Sequence, residues 1–231
     1  MTAEVAAAKN AAIAMTSDMG NFVGRKIQNI TGKPVTPCPA PGGVTTVPVA
    51  APCRSNTHLG GTFIVKPANA SQGVEITIVY ASHANNPPLS MLSEQQRATL
   101  NADGTGFALG PPTGFVVKFT NGLTVYLSGD TGIHSEMKTV VHDFHRANLA
   151  LMNMGSSAVT VMSAIYILNE LVKPASVIFT HVNEATTEGG KLKPASRAAA
   201  VIKSLKGPAA HLAVSGRTME FDGKGKCVSG C

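Results

Sequence analysis

Three apolar runs in this 231-residue chain end in a residue type able to hold a metal or move a proton. Leu123-Thr-Val-Tyr-Leu-Ser-Gly-Asp130-Thr-Gly132 delivers a carboxylate. Ser176-Val-Ile-Phe-Thr-His181 delivers an imidazole, and Glu75-Ile-Thr-Ile-Val-Tyr-Ala-Ser-His83 a second. Core packing alone gives no reason for three strands to finish this way. Carboxylate oxygen and imidazole nitrogen suit hard and borderline divalent metals, and strand ends hold such ligands rigidly.

The elements that must position these residues are legible around them. A helix is expected over 2–10, a strand over 11–16, and a helix from Ser17-Asp18 to about Gln28, with the polar pair as its cap. Strands follow at 60–65 and 74–81. Two more, 114–119 and 123–127, are joined by Asn121-Gly122, a strong hairpin signal. Beyond them helix and strand alternate: helix 134–146, strand 149–152, helix 160–172, strand 176–180, helix 194–206, strands 211–214 and 218–221. Antiparallel strands early and βα units late indicate a mixed α/β fold. One domain over 1–231 is expected. It is interrupted by irregular excursions at 31–56, rich in Pro and Gly, and at 84–112.

Composition narrows the function classes. The chain is 44% hydrophobic and 14% charged, the balance of a globular protein. A net charge of +6 would favour acidic partners, but the cations are scattered. Three Tyr and no Trp leave few stacking platforms, so nucleic acid is not expected as a partner. No run is apolar enough to span a bilayer, so a membrane partner is not expected either. The first residues are interrupted by charge and do not read as a secretory signal. Cys38 and Cys53 bracket the Pro/Gly-rich loop, and Cys227 and Cys231 form a second group. Disulfides at both places imply a periplasmic or secreted protein, and four free thiols a cytoplasmic one. Neither group has C-x-x-C spacing, so a structural zinc site is not expected.

The segments Thr113-Gly-Phe-Val-Val-Lys-Phe119, Gly122 to Gly132, and Met137-Lys138 resemble the second half of metallo-β-lactamase-superfamily hydrolases, in particular their metal-dependent hydrolase branch. Asn148 to Gly155, Leu171-Val-Lys-Pro174 and Val177 to His181 agree in order, and the resemblance covers roughly residues 57–222. It implies an αββα sandwich with a dinuclear metal site at one sheet edge. It also places His83, Asp130 and His181 among the metal ligands, with Asp130 bridging. Zinc or another divalent metal is the implied cofactor. Asp130, His181 and Ser128 are the candidate catalytic residues, with Thr131 and His134 beside the substrate. The family's His-x-His-x-Asp-His motif has no counterpart here. In family order it would fall just before Met1, so the resemblance implies a fold incomplete at the N-terminus.

Three readings stay open. The first is a hydrolase that cleaves an ester-like bond of a small molecule (carboxylic ester or lactone before phosphoester) with a metal-activated water. The second is a metal-independent serine esterase using a serine near Asp130, or Ser135 with Lys138 in a Ser-x-x-Lys arrangement. The third is a catalytically inactive oligomeric remnant with a binding or structural role. Loss of early strands would expose sheet edges, so a homo-oligomer is expected. His142 and His145 lie one helical turn apart and read as a solvated face, while His58 and His211 read as structural.

Overall fold

The computed structural model describes residues 1–86, 89–103, 108–155, 159–182 and 186–231. Helix α1 (Thr2–Lys9) and strand β1 (Ala12–Thr16) lead into α2 (Ser17–Thr31), which ends on Gly32 in the left-handed region, φ 70°. Three short strands follow, β2 (Thr36–Pro37), β3 (Val44–Val47) and β4 (Cys53–Thr57). The 31–56 stretch is therefore not wholly irregular. A Cys38–Cys53 disulfide pins it, and its backbone groups find partners in two sheets. β4 lies between β1 and β2 in a parallel three-stranded sheet.

The larger sheet has eight strands among the described residues. β5 (Thr62–Pro67), β6 (Val74–Tyr80), β7 (Thr113–Lys118) and β8 (Thr124–Leu127) form an antiparallel meander. Before β7, residues Glu94–Asp103 form a helix, α3, where an irregular excursion was expected; Pro87 and Pro88 of that excursion lie outside the described residues. β9 (Leu149–Asn153), β10 (Ser176–Thr180) and, after two short paired strands β11 (Thr187–Glu188) and β12 (Lys191–Leu192), β13 (Ala209–His211) extend the sheet in parallel beyond β8. β3 closes the opposite edge, parallel to β5. A hairpin of β14 (Glu220–Phe221) and β15 (Cys227–Ser229) follows.

The mixed α/β class expected from the pattern holds. Beside the eight-stranded sheet, the described residues form the three-stranded sheet and two two-stranded pairs.

Asn121-Gly122 makes the expected turn between β7 and β8, with Gly122 at φ 95°, a conformation that side chains disfavour. Asn148 secures this end of the sheet. Its Oδ1 accepts from the Thr124 amide at 3.0 Å, and its Nδ2 donates to the carbonyls of Gly122 and Gly223 at 3.2 and 3.0 Å.

The core forms between the parallel half of the sheet and three helical segments. The segment Met137–Phe144 is a π-helix. Helix α4 (Val161–Tyr166), capped by Thr160, continues as a second π-helix over Ile167–Val172, and α5 (Arg197–Ile202) is capped by Ser196. Met137, Val141, Ile167, Leu168 and Val172 from the helices pack with Tyr126, Ala150, Met152 and Val177 from the strands, all fully buried. Each of the Val, Leu, Ile and Met side chains among them contributes about 1.5–3 kcal/mol of transfer free energy. Tyr126 is so enclosed that its hydroxyl finds no partner among the described residues, and burial, reinforced by Glu136, pushes its phenol well above the usual range. A second, smaller core joins Ala6 of α1, Ile13 of β1, and Val23 and Ile27 of α2.

Candidate functional site

Strand direction assembles the site. β6 and β8 both run antiparallel to β7, so they point the same way, and β9 and β10 run parallel to β8. The C-terminal ends of four strands therefore open on one edge of the sheet, where α/β proteins commonly place their ligands. His83 lies just past β6, Asp130 just past β8, Asn153 ends β9 and His181 follows β10.

The three residues expected to act together do meet. His83 Nε2 lies 3.1 Å from Asp130 Oδ2, and His181 Nε2 lies 3.3 Å from the same oxygen. Their side chains are 40%, 39% and 50% exposed for His83, Asp130 and His181, so the cluster is open to a substrate. The other ring nitrogen of His83 lies 2.7 Å from the Ala84 carbonyl. Nδ1 donates there, which orients the ring so that Nε2 faces Asp130. His181 stands in the left-handed region at φ 50°. For a residue with a Cβ this backbone costs about 1–2 kcal/mol, a strain common at functional sites.

Two imidazole nitrogens gathered on one carboxylate oxygen, with one ring oriented by a backbone carbonyl, are residue types that suit a zinc-type divalent cation. Two further residues shape it. Asn153 donates its side-chain amide to Asp130 Oδ1 at 2.9 Å, leaving Oδ2 to the histidines. Gly155 lies against His181: a Cβ there would come within 2.8 Å of Cδ2 and 3.3 Å of Nε2. The Arg197 guanidinium donates to the neighbouring Met154 carbonyl at 2.6 Å and anchors this turn. Neither Asn153 nor Gly155 was singled out from sequence. Asn153 carries the same signal as the others, a polar residue ending an apolar run.

Three expected site residues take other parts. Ser128 is 1% exposed; its hydroxyl donates to the Gly129 carbonyl at 2.7 Å and accepts from the Asn153 amide at 3.0 Å. It shapes the turn beneath Asp130 and does not face the cleft. Thr131 is fully buried; it accepts from the Ser82 amide at 2.8 Å and donates to the Gly132 carbonyl at 2.9 Å, tying the His83 loop to the Asp130 loop. His134 packs edge-on against Tyr80 with its ring nitrogens buried and unpartnered among the described residues. Burial holds its imidazole below the usual histidine range, opposed by Glu136.

Lys138, the expected partner of Ser135, donates to both oxygens of Asp143, at 3.1 and 2.8 Å. His142 is engaged at the Val172 carbonyl, 3.0 Å away, and His145 stacks edge-on against Phe144.

No protein-family model matches the chain. It is similar to metal-dependent hydrolases. A UPF0173 metal-dependent hydrolase of Polynucleobacter asymbioticus is 30% identical over 121 residues, 52% of this chain and 40% of that protein. One of Methanosarcina mazei is 28% identical over 112 residues, 48% of this chain and 42% of that protein. The resemblance read from the sequence thus stands, and the match spans about half or less of each curated relative's length.

Among solved structures, one described as a Zn-dependent hydrolase of the metallo-β-lactamase superfamily, from Thermotoga maritima, superposes with a TM-score of 0.42 at 13% identity. That match covers 87% of this chain and 88% of that one. A metallo hydrolase of Ignicoccus hospitalis gives 0.43 at 19% identity, covering 75% and 64%.

Both groups of cysteines are paired as disulfides, Cys38–Cys53 and Cys227–Cys231. No helix among the described residues is long and apolar enough to cross a membrane.

Proposed function

We propose that His83, Asp130 and His181 form the site of a metal-dependent hydrolase acting on an ester-like bond, a carboxylic ester or lactone before a phosphoester. The observation that carries this reading is the convergence of two imidazole nitrogens on Asp130 Oδ2 at an exposed sheet edge, in a chain similar to metal-dependent hydrolases. A divalent cation held by these three residues would polarise the scissile oxygen and lower the pKa of a bound water.

The chain's own groups do the positioning. Asn153 fixes the Asp130 carboxylate through Oδ1, and the Ala84 carbonyl fixes the His83 ring. Thr131 keeps the two loops at a constant separation. Without a cation, Asp130 or His181 serves as a general base toward water, at a much lower rate.

A cavity of about 730 Å³ adjoins the loop after His83, lined by Met19, Phe22, Ile30, Ala84, Leu109 and Pro112 among others. Its wall is largely apolar, and none of His83, Asp130 and His181 lines it. A second copy of the chain belongs to the same reading, because β1 and β2 are unpaired edges of the three-stranded sheet among the described residues. The serine route has less support, since Ser128 is enclosed and Lys138 is engaged by Asp143.

The test is elemental analysis of purified, undialysed protein, with p-nitrophenyl ester turnover read on the same sample before and after chelation. Expected are about one zinc-type cation per chain, turnover lost on chelation, and turnover lost in His181→Ala. Turnover undiminished in metal-free protein would reject the proposal.

A further inference from the structure

A second cluster of metal-ligand groups lies on the edge strand β13 and the hairpin that follows it, on residues that the hydrolase site does not use. A ring nitrogen of His211, at the end of β13, and the sulfurs of Cys227 and Cys231 all lie within 4.8 Å of one another. The fold brings them together from two elements. Phe221 of β14 pairs in register with Cys227 of β15, and the Phe221 ring packs edge-on against His211 at 5.4 Å, so the hairpin is laid over the end of the edge strand. Ser176 Oγ, 3.2 Å from His211 Nε2, fixes the orientation of the imidazole from the neighbouring strand β10. Such an outer partner is a regular accompaniment of a ligating histidine.

We propose that His211, Cys227 and Cys231 form a redox-gated binding site for a thiophilic divalent cation of zinc type, independent of the Asp130 cluster. In the structure the two sulfurs are joined as a disulfide, the closed state of the gate. Reduction by a dithiol breaks the S–S bond. Two electrons and two protons pass to Cys227 and Cys231 as the reductant closes its own disulfide. Cation binding then displaces the two thiol protons to solvent and leaves two thiolates and one imidazole as ligands, with solvent completing a tetrahedral shell. Thiol–disulfide exchange with a disulfide oxidant, which takes the two electrons and is released as two thiols, re-forms the S–S bond and expels the cation. Two sulfurs and one nitrogen select zinc-type ions over magnesium or calcium, which prefer oxygen.

The thiolates give this site a signature that the Asp130 cluster lacks. Co²⁺ is titrated into the full chain carrying Cys38→Ser and Cys53→Ser, before and after dithiol reduction. Reduced protein is expected to develop an intense near-ultraviolet thiolate-to-cobalt band saturating at one ion per band-forming site. The oxidised protein should show none.

Cys231→Ser, at an exposed position, should abolish the band with the fold intact by circular dichroism. His211→Ala should weaken the affinity by about tenfold or more. His181→Ala should leave the band unchanged. Absence of the band in reduced, folded protein overturns the proposal, and so does its survival in Cys231→Ser. Failure of the hydrolase reading shows itself separately, as turnover insensitive to chelation.

Discussion

Asn153 holds Asp130 from the adjacent strand: its side-chain amide donates to Oδ1 at 2.9 Å while both histidines face Oδ2. The two oxygens of one carboxylate are thereby assigned different tasks. Removing the amide frees the carboxylate to rotate away from the histidines. Asn153→Ala is expected to weaken divalent-cation binding about 10–100-fold, the usual effect of losing such an outer partner. Isothermal titration with Zn²⁺ reads the change, and an affinity equal to wild type would show that Asn153 plays no positioning part.

Gly155 is needed for the room it leaves. Gly155→Ala places a methyl 2.8 Å from His181 Cδ2, inside contact distance, so the imidazole must move off Asp130. Hydrolysis and cation binding should both fall by about tenfold or more, with the thermal midpoint close to wild type. The mobile partner in this clash is a side chain, so the fold has an escape that the site lacks.

The half-buried His134 makes stability pH-dependent with a definite sign. Its folded-state value lies below the ordinary 6.5, so the unfolded chain takes up the proton first as pH falls. Its contribution is fully present above 6.5 and is lost as pH falls from there toward the lower folded value. Urea midpoints at about pH 8 and about pH 5.5 should therefore differ, and His134→Phe should narrow the gap. His145 and His211 are shifted the same way by burial, so part of the slope remains. The same variant removes two unpartnered buried nitrogens and should gain about 1 kcal/mol near neutral pH.

Cys38–Cys53 closes a loop with a sequence separation of 15 residues and ties β4 to the chain that leads out of β2. Replacing both cysteines by serine should cost about 3 kcal/mol, mostly by releasing the unfolded chain. Chemical denaturation of the double variant under non-reducing conditions measures it.

Much of the fold was legible because the second half of the chain obeys simple patterning. Strands over 149–152 and 176–180 appear almost residue for residue, since short apolar, β-branched runs between helices have few other places to go. The helix expected over 160–172 also appears, though its second half widens into a π-helix that no periodicity signals. The 31–56 stretch resisted for the opposite reason. Its strands are two to five residues long and pair with distant partners, so each carries too little local pattern to be recognised. The helix Glu94–Asp103 is polar on nearly every face and read as loop.

By itself the sequence determined which side chains end apolar strands, and so which residues were available: His83, Asp130 and His181. It also determined the hairpin at Asn121-Gly122 and the α/β class. Only the tertiary structure decided that those ends share one edge, because strand direction is a property of sheet pairing and not of any segment. The same holds for the buried roles of Ser128 and Thr131, for Asn153 as the partner of Asp130, and for the meeting of His211 with Cys227 and Cys231. A hydroxyl's chemistry is written in its residue type. Whether it meets substrate or backbone depends on what packs over it.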